Sequence, residues 1–256
     1  MIENFISIIM FNWIIVTILW LYSQYSKKAD IIDTYWGPSF FLICLFLLFK
    51  EGNYYSINII TSILVFIWSI RLMIYLHIRN HKKSEDIRYV KIKKKYGNFG
   101  MYVISYLTQV ILIAIVSLPI QALLTSNLDL DFNFISIFGM TLTILGIAIE
   151  TLADIQLTKF KADINNNGKV MNRGLWKFSR HPNYFGDSLF WWGIFIISYS
   201  VTFNFFIIIA PVAMTFFLLK VSGVSMLENQ IKDTKDGYEE YINSTSSFII
   251  MPRKKK

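Results

Sequence analysis

The densest chemistry in this 256-residue sequence lies in Gly-Leu-Trp-Lys-Phe-Ser-Arg-His-Pro-Asn-Tyr-Phe-Gly-Asp, from Gly174 to Asp187, where polar and charged groups sit between two long apolar runs. Pro182 has no N–H and its ring clashes with the preceding turn, so it is excluded from a helix interior but suits a first turn. The stretch from Ser179 to Pro182 is therefore expected to be the mouth of a membrane helix that continues through Tyr184 to Tyr199. Arg180 and His181 lie just before that helix. Asn183 and Asp187 are four apart and project from one face of its first turns. Cations, free N–H groups at a helix start, an amide and a carboxylate together make a surface for an anion and a ribose. The same residues also suit an interfacial cap, with Arg180 and His181 meeting lipid headgroups and Asp187 complementing the helix dipole.

Further groups could join that surface. Glu150 and Asp154 are four apart and Lys161 follows seven later, so all three share a helix face. Ionisable groups at membrane depth are costly and usually line a cavity or pathway; a structural pair between Glu150 and a base such as Arg71 is the plainer alternative. Arg71, Tyr75 and Arg79 repeat every four residues near the end of another apolar run, where snorkelling to the interface is the simplest role for Arg79. Glu85-Asp86-Ile87-Arg88-Tyr89 is a charged cluster in a basic segment, and on its own it reads as a solvated face. Lys220 closes the last apolar run and Glu228 follows it. His81 has no metal-type partner spacing, and the one cysteine, Cys44, lies in an apolar run, so neither a disulfide framework nor a metal site is expected. There is no Gly-rich phosphate loop and no Ser-centred nucleophile elbow.

What positions these groups is a membrane bundle. The sequence is 54% hydrophobic and 16% charged, against about 25% charged in an ordinary soluble domain. Several apolar runs reach the roughly 18–20 residues that cross a bilayer. The expected fold is all-α and polytopic, with about seven transmembrane helices. The expected spans are Phe5 to Tyr25, a short run opened by Tyr35-Trp36-Gly37-Pro38 and ending near Phe49, Ile57 to Ile78, Met101 to Leu124, Phe134 to about Leu152, the helix to Tyr199, and Thr202 to Val221. The fifth helix should run on to Ile164 until Asn165-Asn166-Asn167-Gly168 ends it with left-handed chemistry. The last two spans are separated by so short a polar turn that they should form an antiparallel hairpin. A basic loop, Arg79 to Lys95, is expected after span three.

Lys and Arg concentrate after spans one, three and five and in the tail, which places the N-terminus outside and the C-terminus in the cytoplasm. The net charge of +8 is then attraction to the anionic leaflet rather than to nucleic acid, for which no motif is present. One membrane-embedded domain, 1–256, is expected, with its cofactor-binding half at about 134–256. Its membrane would be the endoplasmic reticulum in a eukaryote and the inner or plasma membrane in a bacterium. Oligomeric state and substrate identity are not legible.

Arg180-His181-Pro182-Asn183-Tyr184-Phe185-Gly186-Asp187 resembles the signature shared by steroid 5α-reductases and sterol reductases, and most closely the uncharacterised branch called steroid reductase-like or DUF1295 proteins. The resemblance extends to Asp33-x-x-Trp-Gly, Glu85-Asp-x-Arg-Tyr, Glu150 with Ala153-Asp-x-Gln156, Gly174-Leu-Trp, and Lys220-Val-Ser-Gly-Val with Leu227-Glu228. Asp187 stands where many members of the branch have Glu. The resemblance implies NADPH bound from the cytosolic side by Glu150, Asp154, Lys161, Arg180, His181, Asn183, Tyr184 and Asp187, with Lys220 and Glu228 from the tail. It also implies a Tyr with an acid to polarise an enone carbonyl, for which Tyr75 with Asp33 is the first choice and Tyr89 the second. The activity implied is reduction of a C=C bond in a steroid-like, enone or other lipid substrate drawn from the bilayer. Isoprenylcysteine and phospholipid methyltransferases carry a similar Arg-His-Pro-x-Tyr stretch, so an S-adenosylmethionine-dependent methyltransferase is the alternative, and a non-catalytic lipid-binding protein a third.

Overall fold

The computed structural model of the protein describes residues 2–81, 84–130, 132–221 and 237–253, Val221 by its backbone alone. Among the described residues all regular structure is helical, apart from an isolated parallel bridge between Ser179 and Ser246. Five stretches are long and apolar enough to cross a membrane. They are α1 (Ile2–Ser26), α2 (Ile31–Glu51), α3 (Ser56–His81), the run Ile87–Val116, and a long helix Phe134–Ala162. Ile87–Val116 comprises α4 (Ile87–Met101), a π-helical segment (Tyr102–Leu107) and α5 (Thr108–Val116). After α6 (Leu118–Leu124) comes α7, the long helix Phe134–Ala162; then α8 (Pro182–Thr202), α9 (Ile209–Phe216) and α10 (Tyr238–Ser244). The protein is an all-helical, polytopic membrane protein.

Three boundaries differ from the sequence reading. The second helix begins at Ile31, ahead of Pro38, and so reaches 21 residues. Pro38 is carried inside it, because its position costs one ladder bond rather than the helix. The basic segment is helix from Ile87 onward, since Asp86 caps it by accepting the Arg88 N–H at 2.8 Å and Lys is a good helix former. Gly97 then kinks it with φ +70°. The long helix continues past the bilayer-length segment, as expected, but ends at Ala162. Asp163 accepts the Asn165 N–H at 2.9 Å and Gly168 turns the chain with φ +76°.

The chain divides into two compact units, Met1–Asn133 with Ser198–Ala210, and Phe134–Ile197 with Pro211–Lys256. In the first, α2 and α3 pack closely because residue 37 is glycine: a Cβ there would lie 2.8 Å from the Ser69 carbonyl oxygen. Phe40 and Trp68 fill the seam, both fully buried with rings 5.9 Å apart. Tyr35 donates to the buried Asn12 at 2.8 Å, and Asn12 gives its own Nδ2 to the Ile8 carbonyl at 3.1 Å. The lipid-facing side of α1 carries Ile6, Ile14, Ile18 and Leu21, all more than half exposed.

In the second unit, glycines bring α7 and α8 together. Gly139 and Gly146 are two turns apart on α7, and Gly186 and Gly193 are two turns apart on α8. A Cβ at Gly139 would meet the Gly193 oxygen at 2.9 Å, and one at Gly146 would meet the Gly186 oxygen at 2.7 Å. The order reverses, so the helices run antiparallel. Close backbone approach at small residues is how membrane helices associate, since lipid provides no hydrophobic drive between them. The turn from α8 into α9 forms the expected hairpin, with Ser188 and Thr215 hydroxyls 2.8 Å apart and Trp192 Nε1 donating to Thr215 at 3.2 Å.

Candidate functional site

The glycine contact sets the register of the candidate cofactor residues. A Cβ at Gly186 would lie 2.6 Å from the Glu150 nitrogen, so the backbones of α7 and α8 meet at the turn that carries Glu150, Asp154, Asn183 and Asp187. Glu150, Asp154 and Asp187 are each less than a tenth exposed. Asn183 Nδ2 donates to Asp154 Oδ1 at 3.2 Å. Pro182 opens α8, as its chemistry demands. Just before it, His181 is buried and stacks face to face on Tyr184, ring centroids 5.5 Å apart and planes within 2°.

Gly174 to Ser179 is anchored on both sides. Leu175 N–H donates to Gln156 Oε1 at 2.9 Å, and Trp176 Nε1 donates to the Ala153 carbonyl at 3.0 Å. Gly174 has φ +55°, and a Cβ there would strike the Gln156 amide. On the other side lies the segment 238–253. Tyr241 Oη donates to the Trp176 carbonyl and, at 3.3 Å, to that of Ser179. Ser179 Oγ donates to the Phe248 carbonyl at 2.7 Å, and Met251 N–H to the Phe178 carbonyl at 3.2 Å. Arg180 Nη1 gives hydrogen bonds to the Ile242 and Thr245 carbonyls at 2.8 and 2.7 Å, satisfying the open end of α10 where a cation is favoured. Arg180 thus holds the C-terminal strap to the site. Lys161 is exposed in the last turn of α7, and Lys220 is exposed in the π-helical turn Phe217–Val221. Glu228 lies outside the described residues.

The expected proton-donating groups are in the first unit. Asp33 accepts from Tyr89 Oη at 2.6 Å and from Arg88 Nη2 at 3.1 Å, while Arg88 also holds Asp86 at 2.9 Å. Glu85 Oε1 accepts the Ala29 N–H at 3.1 Å, and Tyr106 Oη donates to the Ala29 carbonyl at 2.9 Å. The Asp33-x-x-Trp-Gly and Glu85-Asp-x-Arg-Tyr stretches are therefore partners of one another. Burial pushes the Asp86 carboxyl up, but its hydrogen bonds from Arg88 outweigh that and leave it below the usual carboxylate value. Tyr75, on α3, has the Arg79 guanidinium 5.9 Å from its ring centroid.

The Asn183 side chain gives the fit to a nucleotide cofactor its firmest observation. Its Oδ1 is buried and, among the described residues, accepts no hydrogen bond. Such an orphan is costly unless a ligand or water fills it. Beside it, carboxylates can accept ribose hydroxyls. An amide with an open oxygen beside carboxylates has the chemistry to meet a ligand that presents amide hydrogens and hydroxyls. Among the described residues no group of three His, Cys, Asp or Glu is placed to hold a metal ion.

Sequence reasoning did not single out the glycine register, the Gln156 and Tyr241 anchors, or the role of Glu85. The seven-residue glycine spacing was the available signal for the first. The family described as "Protein of unknown function (DUF1295)" matches residues 19–245. An uncharacterized protein of Schizosaccharomyces pombe is 23% identical over 221 residues, covering 75% of this chain and 64% of that protein, so the match spans less than two thirds of the relative's length. No solved structure matches the chain.

Proposed function

The chain belongs to the DUF1295 family, and from that premise we propose that it is an NADPH-dependent membrane reductase acting on a C=C bond of a steroid-like, enone or other lipid substrate. The observation that carries this reading is the part-buried Asp154–Asn183 pair, with its open Asn183 Oδ1, at a glycine-tight helix crossing. Asn183 would orient the carboxamide, and Asp154 with Asp187 would hold ribose hydroxyls. The His181–Tyr184 stack would shield these groups from water. NADPH would supply the hydride. In the first unit, taken by itself, Tyr89 gives its Oη proton to Asp33, which Arg88 also holds, and this triad has the chemistry of a general acid. The lipid would enter from the bilayer against the apolar helices. The membrane would be the endoplasmic reticulum in a eukaryote or the plasma membrane in a bacterium.

The test is cofactor titration of the purified protein in detergent, read by fluorescence. NADPH should saturate in the micromolar range, about −8 kcal/mol, and Asn183→Ala or Asp187→Ala should weaken it about tenfold, one charge-assisted hydrogen bond's worth. Tighter binding of S-adenosylmethionine than of NADPH, or NADPH binding indifferent to both substitutions, would refute the reading.

A further inference from the structure

A second feature of the Phe134–Ile197 and Pro211–Lys256 unit is an open groove of about 320 Å³ beyond the end of α7, lined by Phe160, Asn166, Lys169, Arg173 and Glu240 among others. Its walls are built. Asn166 Nδ2 donates to the Phe160 carbonyl at 3.0 Å, and Lys169 N–H donates to the Asn166 carbonyl at 3.0 Å, fixing the loop that carries Lys169. Arg173 precedes the 3₁₀ turn Gly174–Lys177, which is anchored by Gln156 and Ala153. The opposite wall, α10, is held by Tyr241. Among the described residues neither Lys169 nor Arg173 makes an ion pair or side-chain hydrogen bond, and both are exposed. Two such cations on walls of fixed geometry are a receptor for a phosphate, with Arg offering a planar fork and Lys a point charge. Glu240 accepts rather than donates, so it disfavours an all-phosphate ligand and favours one that also presents hydroxyls. Asn172 provides an amide beside it.

We propose that this groove binds a phosphorylated polyol, its phosphate on Lys169 and Arg173 and its hydroxyls toward Asn172 and Glu240. Two molecules carry that chemistry: the 2′-phosphoribose of NADPH, and a phospholipid with a polyol headgroup. The first source rests on the reductase reading. Along α7, Glu150 to Phe160 is ten residues, roughly 15 Å at 1.5 Å per residue, which is the reach of an extended dinucleotide rather than of a single nucleoside.

The experiment uses the full chain in nanodiscs of neutral lipid, with 2′,5′-ADP as the soluble probe and discs doped with phosphatidylglycerol as the lipid arm. The Lys169→Ala/Arg173→Ala double variant should weaken the recognised probe at least tenfold, with binding falling as salt is raised. Its melting temperature should not move, because neither side chain holds another element. Lys169→Arg should retain binding. Loss of 2′,5′-ADP binding assigns the groove to the nucleotide. Loss of phosphatidylglycerol binding alone assigns it to lipid, and leaves the reductase reading to its own titration. Failure of both probes to bind, or binding equal in wild type and double variant, overturns the groove. If NADPH still titrates normally in that case, the reductase reading stands without it.

Discussion

The register between α7 and α8 can be broken with a single methyl group. In Gly186→Ala the new Cβ would lie 2.6 Å from the Glu150 nitrogen, 2.8 Å from the Gly146 oxygen and 2.9 Å from the Glu150 Cβ. The first two of these are backbone atoms and cannot swing away. Ordinary contact begins near 3.4 Å, so the helices must part by about 0.8 Å, the difference between 3.4 and 2.6 Å. Overpacking of this kind costs about 1–3 kcal/mol. The Asp154–Asn183 hydrogen bond, 3.2 Å in the native structure, would stretch to about 4 Å and lose roughly 1 kcal/mol more. Alanine returns about 1 kcal/mol of helix propensity. The net loss is about 1–3 kcal/mol, with a disproportionate effect on cofactor binding, because the perturbed turn carries the site. The assay is thermal unfolding in detergent alongside NADPH titration, with Ala148→Leu on the outward face of α7 as the control that should change neither. A Gly186→Ala protein as stable as wild type, with unchanged titration, would refute the claim that glycine contact sets the site.

Two further outcomes are expected. Tyr241→Phe removes the hydroxyl that serves the Trp176 and Ser179 carbonyls; leaving buried acceptors unpaired costs about 1–3 kcal/mol, and limited proteolysis should then release the C-terminal strap at a lower temperature than in wild type. Asp86 carries a pH signature. Its folded carboxyl lies below 3.8, so the stability it contributes is present above the unfolded value of about 3.9 and is lost as pH falls through the folded value. The melting-temperature gap between wild type and Asp86→Asn should therefore be flat from pH 7 to about 5 and close below about 4; a gap that widens on acidification would contradict the hydrogen bonds drawn to Arg88.

Helix identity was readable because apolar runs of bilayer length leave few alternatives, and Pro182, with polar residues before it and an apolar run after it, suits the first turn of a helix. The start of α4 was hidden because a lysine-rich segment looks like a loop by charge, while its Asp86 cap and helix-forming lysines act locally. The early start of α2 was hidden because Pro38 looks like a boundary, and only packing against α3 shows that the helix tolerates it. Glu150 with Asp154, and Asn183 with Asp187, were each legible as one helix face from their four-residue spacing, yet the meeting of the two faces depends on Gly146 and Gly186, which a pairwise reading of charged residues passes over. Arg180 shows the opposite limit: a cation beside a helix start reads as an anion ligand, but the carbonyls of Ile242 and Thr245 come from a segment more than sixty residues away.

That distance has a consequence for how the molecule is made. Ser179 and Lys177 receive their partners Phe248 and Arg253 from 69 and 76 residues downstream. Synthesis runs from the N-terminus, so the residues around Arg180 exist before those partners do, and until then the Lys177 and Phe178 carbonyls lack the hydrogen bonds from Arg253 and Met251. The junction is thus completed only after the segment that carries Ile242 to Arg253 has been made.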